Sequence, residues 1–470
     1  MVFSSHIFLL YFLPLFLLAY FLTPAKWRNI TLLAASMLFY AWGAPDFILV
    51  LLGSTVANFY LVKAMHRARR LRWKRFFCGL AVAASLGLLV YFKYANFLVE
   101  NANALLGALG LETMTWAKVL LPIGISFFTF QSITYVIDTY RGINEPMRRL
   151  TDYLVYIIMF PQLIAGPIVR YTDIAGQITA ERRLRWEECL QGFYRFVIGL
   201  SKKVLIADVI GRTVDTVLAG DIASMDCGTA WIAITAYTMQ LYFDFSGYSD
   251  MAIGLGRIMG FKFPENFDNP YTSASITEFW RRWHITLGAF MRNYLYIPLG
   301  GNRKGSGRTY LNLWIVFLLS GLWHGASWNF VIWGAYHGCF LVVERLLGIG
   351  KKHNGWLVLP TFVITLVGWA IFRIEDLPAC WTFITRLFSF DFNGFALTQP
   401  AQYYAAIAVA LAFSFLTLLP WGKRLERKAF YTNYRPAAHI PVWLASCLLL
   451  FFCIGALTAT DFSRFIYFRF

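Results

Sequence analysis

The chain has 470 residues, of which 58% are hydrophobic and 14% charged, with a formal net charge of +17. A soluble globular protein averages about 45–50% apolar and about 25% charged residues; this composition, with a mean hydropathy of +0.55, excludes an ordinary soluble domain. The basic residues stand in short clusters between apolar runs, the pattern of cytoplasmic loops, so the charge does not describe a nucleic-acid surface. Seven cysteines without a CxxC pair read as reduced or buried thiols, with no disulfide framework and no metal site.

Several windows of about 20 apolar residues match a hydrocarbon core of roughly 30 Å. The runs are continuous rather than alternating, which predicts helices instead of a barrel. Residues 8–21 lack a basic flank and a small-residue cleavage site, so they read as a retained first span rather than a signal peptide. Five spans, this one included, are expected near 6–23, 29–43, 46–65, 76–98 and 118–138. Lys26 and Arg28, the 66–75 cluster, and Arg141, Arg148 and Arg149 sit in alternate connections. The 43–46 and 96–115 connections contain no lysine or arginine. That alternation places the basic loops in the cytoplasm and the N-terminus outside.

The middle third is less regular. Residues 153–169 contain Pro161, Gly166 and Pro167 between basic loops, which predicts a re-entrant or broken segment buried in protein or lining a cavity. Residues 186–208 mix Arg195, Lys202 and Lys203 with apolar residues, as an interfacial helix would. Residues 231–258 form a long apolar run that nevertheless contains Asp244 and Asp250. A polar, basic stretch occupies 264–305. Hydrophobic spans resume near 311–324, 329–347, 356–373, 403–420 and 439–458. Lys351 and Lys352, and the 423–428 cluster, mark cytoplasmic loops, whereas 375–402 is expected outside. The expected architecture is all-α and polytopic: ten to eleven transmembrane helices plus re-entrant and interfacial helices, in one membrane domain over residues 1–470.

Three constellations could support chemistry. The block SGLWHGASWNFVIWGAYHG, residues 320–338, sets His324 and His337 among three tryptophans and four glycines. An intramembrane titratable group is a functional-site hypothesis by default, and imidazole moves protons near neutral pH; interhelical packing glue is the competing reading. The second is EFWRRWHITL, residues 278–287. On a continuous helix Thr277, Trp280 and His284 would share one face, with Arg281 turned about 100° away. Arg281 and Arg282 would then meet an anionic cofactor or lipid headgroups. The basic loop GGNRKGSGR, residues 300–308, fits a phosphate neighbourhood but no P-loop pattern. The third is the acidic pair Asp244 and Asp250, which would serve a transporter as an ion or proton relay or else pair with basic residues of another helix.

Taken together, YFDFSGYSDMAIG, ENFDNPY, SITEFWRRWHITL, YLYIPLGGNR and GLWHGASWNFVIWGAYHG resemble the membrane-bound O-acyltransferases, and most of all their bacterial polysaccharide-acetylating branch. FKYANF, LPIGISFFTFQSITYVIDTYRG and FPQLIAGPIVR fit the same branch, so the resemblance covers roughly the first three-quarters of the chain. It implies a helical disc pierced by a tunnel in the bacterial cytoplasmic membrane, with acetyl-CoA as donor and no permanently bound cofactor. It implies His324 and His284 as catalytic residues. Trp280, Arg281, Arg282, Asn302 and Arg303 would bind the donor, and Trp323, Trp328, Asn329, His337, Asp244 and Tyr248 would line the tunnel. The acceptor it implies is an extracytoplasmic polysaccharide hydroxyl, alginate-type first and cellulose or peptidoglycan next, or an SGNH-hydrolase-like partner protein. The competing class is a transporter using Asp244 and Asp250.

Overall fold

The computed structural model describes residues 3–349, 354–392, 399–431, 434–459 and 465–466, and every regular element among them is helical, with one isolated bridge between Phe267 and Trp283. The basic loop expected at Lys351 and Lys352 lies outside the described residues. Among the described residues six helices are both long and apolar enough to cross a bilayer: Pro45–Arg67, Leu71–Ala108, Trp328–Leu347, Gly355–Arg373, Ala401–Leu418 and Pro436–Thr458. Each coincides with an expected span; a further apolar helix, Ile7–Leu22, is shorter. The remainder of the ten or eleven expected spans fall on shorter or more polar helices.

The described chain divides into two compact units, one of residues 1–189 with 256–264, the other of 190–255 with 265–470. In the first, two expectations need correction and one holds. The span expected at 118–138 begins only at Ile125 and runs to Tyr140. Pro122 lacks an N–H, and Gly124 holds a left-handed φ of 80° where an added Cβ would sit 2.5 Å from the Leu163 carbonyl oxygen. A helix cannot start earlier through that pair. The connection expected at 96–115 is instead helical as far as Ala108, the end of a 38-residue helix from Leu71. At 1.5 Å per residue that helix is far longer than a hydrocarbon core. Its polar end is tied down by asparagines: Asn96 donates to the Val119 carbonyl, and Asn103 exchanges hydrogen bonds with Met114. The segment around Pro161 is broken as expected. Helix Leu150–Ile158 stops at Met159, and a single turn, Phe160–Leu163, follows, wholly buried.

The 186–208 stretch, most of it in the second unit, is helical and is not among the helices long and apolar enough to span. Helix Trp186–Ser201 continues through a π-helical turn at Lys202–Ala207 into Asp208–Leu218, and Arg195, Lys202 and Lys203 face inward. Glycines explain how. A Cβ on Gly199 would lie 2.5 Å from the Gly247 carbonyl, one on Gly247 2.7 Å from the Gly199 carbonyl, and one on Gly254 2.6 Å from that of Gly192. Helix Cys227–Ile258 therefore packs backbone to backbone on its neighbour. This contact sets Lys203 2.7 Å from Asp244, Lys202 2.7 Å from Asp250, and Arg195 2.6 Å from Asp250. The basic residues face carboxylates, not headgroups.

Candidate active site

The histidine block folds as a helical hairpin. Helix Ser306–His324 ends at His324 itself, because Gly325 turns extended, and Ser327 precedes helix Trp328–Leu347. The two helices touch through glycine. An added Cβ on Gly321 would clash with the Phe330 carbonyl, and one on Gly334 with the Phe317 carbonyl. Such close approach is open only to residues without a side chain. It brings His324, 3% exposed, edge-on to Trp333 with ring centroids 5.0 Å apart, to its neighbour Trp323 at 5.0 Å, and to Phe372 at 5.4 Å.

His284 does not continue a helical face. Helix Ile276–Arg282 stops, Trp283 is extended, and His284 adopts a left-handed φ of 47° before helix Ile285–Phe290 begins. A non-glycine residue in that region is strained and persists only where its surroundings hold it. Here residues 266–268 do so. The Ile285 N–H donates to the Asn266 carbonyl and the Asp268 N–H to the Arg282 carbonyl. Asn266 Oδ1 accepts from Thr286 Oγ1 at 2.8 Å and from His284 Nδ1 at 3.0 Å, while its Nδ2 donates to Ser249 Oγ. Since Oδ1 can only accept, Nδ1 carries the proton and Nε2 the lone pair. Burial pushes the His284 imidazole down to about 3, so it stays neutral.

The break parts residues expected on one face. Trp280 turns to His337, edge-on at 5.1 Å, and to Trp333 at 5.4 Å. His284 turns to Phe245 at 4.8 Å and Trp323 at 5.9 Å. Trp323 thus meets both His284 and His324, and Trp333 meets both His324 and His337. Three histidines and two indoles form one continuous buried cluster. Room for His337 comes from Gly368, where a Cβ would fall 2.7 Å from its Nε2.

Two positioning residues escaped the sequence reading. Asn266, within ENFDNPY, fixes the His284 tautomer. Glu344, near the end of helix Trp328–Leu347, accepts from the Ile276 N–H at 2.5 Å and from the Thr277 N–H and hydroxyl at 2.9 and 2.7 Å. It ties the helix bearing Trp280 to the helix bearing His337. A lone glutamate at an apolar position was the available signal.

The remaining expected residues are dispersed. Asn329 is buried and donates to the Ile371 carbonyl; Trp328, beside it, is 54% exposed. Tyr248 is buried edge-on to Phe465. Asp244 bonds Lys203 and the Ile466 N–H, an engaged structural carboxylate. Arg282 pairs with Glu278 on its own helix and donates to Thr272, whereas Arg281, Asn302 and Arg303 are exposed. Among the described residues no group of three or more His, Cys, Asp or Glu side chains has metal-binding geometry.

The profile of the MBOAT, membrane-bound O-acyltransferase family matches residues 144–349, which include the whole histidine cluster. Over its entire length the chain is 44% identical to a probable alginate O-acetylase of Pseudomonas putida, also covered in full. It is 37% identical to a peptidoglycan O-acetyltransferase of Helicobacter pylori across 81% of this chain and 78% of that one. A teichoic acid D-alanyltransferase of Bacillus subtilis is 28% identical over 50% of this chain and 62% of its own.

Proposed function

The chain belongs to the membrane-bound O-acyltransferase family and is an acyltransferase, and from that premise we propose that it moves acetyl from cytoplasmic acetyl-CoA to a hydroxyl of an extracytoplasmic polysaccharide. The polysaccharide is of the alginate type, in keeping with the full-length relative; peptidoglycan is the second candidate, on the strength of the Helicobacter pylori relative. The immediate acceptor is the sugar or a serine on an SGNH-hydrolase-like partner that passes the group on. The membrane is the bacterial cytoplasmic one, with the N-terminus outside.

The observation that carries this reading is the contact of His284 and His324 with one indole, Trp323, in a buried site. His324 acts as general base. It takes the proton of the acceptor hydroxyl, whose oxygen attacks the thioester carbonyl; the C–S bond breaks, and the departing thiolate recovers the proton. His284, neutral and presenting Nε2, orients the acceptor hydroxyl. The exposed Arg281, Asn302 and Arg303 suit the phosphates of the donor. The ion pairing of Asp244 and Asp250 removes the reason to read them as transport relays.

The test places the protein in proteoliposomes with radiolabelled acetyl-CoA on one side and oligomannuronate, cellulose or peptidoglycan fragments on the other. Label in the oligomannuronate confirms the alginate reading. Label confined to peptidoglycan or cellulose replaces it, and loss of acetyl-CoA without any acylated glycan or added partner overturns a glycan acceptor.

A further inference from the structure

In the first unit, separate from the histidine cluster's own residues, a cavity of about 140 Å³ is lined by Arg183, Arg185, Arg257 and Lys262 with Glu188 and Cys189. Only one carboxylate faces four cations. Glu188 is taken by Arg257 Nε at 2.5 Å, and Arg183, Arg185 and Lys262 make no ion pair among the described residues. The positive excess is felt locally: the Arg257 hydrogen bond first, then the charges of Arg257, Lys262 and Arg185, hold Glu188 below its ordinary value.

The walls are built rather than loose. Gln177 clamps the Lys262 backbone from both ends of its amide, accepting from the N–H at 2.7 Å and donating to the carbonyl at 3.2 Å. Gly260, at φ 83°, makes the turn that sets Arg257 and Lys262 apart, and a Cβ there would press on Leu184 and Arg182. The end of helix Cys227–Ile258 abuts the cavity, and a bare helix C-terminus would repel an anion. Its last three carbonyls are already occupied. Gly256 and Arg257 accept from the Phe261 and Gly260 N–H groups, Ile258 from Cys189 Sγ, and Met259 from the Tyr20 hydroxyl. What remains directed at the cavity is cationic donors. Arg28, in the first basic loop, donates to the Arg182 carbonyl, so the cavity lies on the face where that basic loop is found.

We propose that this cavity binds a phosphoryl group, presented either by the nucleotide part of the acyl donor or by an anionic lipid headgroup. Two arginine forks and an ammonium suit a phosphate monoester or diester. The nucleotide source rests on the acetyl-CoA reading above; the headgroup source does not.

The test measures binding of 3′,5′-ADP, which cannot transfer acetyl, to the full chain in neutral detergent, and retention of phosphatidylglycerol by native mass spectrometry. Both are compared in wild type and in R183Q/R185Q/K262Q. Loss of about tenfold or more in 3′,5′-ADP affinity, as expected when charge-assisted contacts go, with lipid retention unchanged, assigns the nucleotide. Loss of bound phosphatidylglycerol with no change toward 3′,5′-ADP assigns the headgroup. R183K/R185K, which keeps the charge but loses the planar forks, holds the ligand of wild type more weakly than wild type and more tightly than the triple glutamine variant, and so separates charge from fork geometry. A triple variant that matches wild type toward both ligands overturns the site. Acetyl-CoA turnover by wild type, absent in His324→Ala, is scored independently and reports on the donor reading alone.

Discussion

Asn266 and His284 are joined by a 3.0 Å hydrogen bond in which Oδ1 accepts from Nδ1, and the same oxygen holds Thr286 beyond the left-handed turn. One side chain therefore fixes both the tautomer of the imidazole and the backbone that strains to present it. Asn266→Ala should lower turnover on the order of 10²-fold, as misplacing a group that orients the substrate does. Asn266→Asp, which still accepts at the same place, should recover part of it. Equal turnover in all three proteins would remove His284 positioning from the account.

Glu344 is predicted to be a stability residue with a catalytic consequence. Its carboxylate satisfies two backbone N–H groups and a hydroxyl, and bonds to a charged acceptor contribute about 1.5–3 kcal/mol each at most. Glu344→Ala should lower the melting temperature in detergent and reduce turnover together, with Glu344→Gln between. Unchanged melting would contradict the role.

The helical hairpin should tolerate no side chain at its crossing. Gly334→Ala would drive a methyl into the Phe317 carbonyl, and overpacking of this kind costs about 1–3 kcal/mol or more. Gly338→Ala, whose nearest contact is 3.5 Å, should be close to neutral. Thermal melting of the two variants makes the comparison.

The buried pair of Lys203 and Asp244 separates structure from transport. Asp244→Asn leaves a buried ammonium short of one partner and should destabilise by about 3 kcal/mol. Lys203 also bridges Asp208 at 2.6 Å, so the triple change K203M/D208N/D244L, which leaves no carboxylate orphaned, should recover most of that and should keep acetyl transfer. A stable triple variant without transfer would return Asp244 to the substrate path.

Acid should weaken the fold through His284. Burial holds its imidazole near 3 in the folded protein against an ordinary value of 6.5. Between those values the unfolded chain binds more protons, so stability rises with pH across that window and is fully present above about pH 6.5. His284→Gln, though less stable overall, should lose less melting temperature than wild type between neutral pH and about pH 5. An equal or larger loss would contradict it.

Much of this was legible in composition and pattern. Six apolar helices coincide with runs visible in the sequence, because bilayer length and continuous hydrophobicity leave little choice of structure. His324 and His337 stood out for the same reason, as titratable groups in uncharged sequence. The surroundings of His284 were not legible. Helical periodicity from Thr277 to His284 gave no sign of the break at Trp283, which depends on the distant Asn266. Nor does sequence order reveal that Glu344 caps the helix starting at Ile276, or that Gly199 and Gly247 press Lys203 onto Asp244. Apolar stretches announce themselves locally; a polar partner is known only once the chain has folded.

His324, set among Trp323, Trp333 and Phe372, is the proposed base of the acetyl transfer. The most direct measurement is release of free thiol from acetyl-CoA by purified wild type and His324→Ala, with and without oligomannuronate, after melting shows both are folded. The account predicts glycan-stimulated release by wild type and a loss on the order of 10²–10⁴-fold in the variant. Release by His324→Ala at the wild-type rate would contradict it.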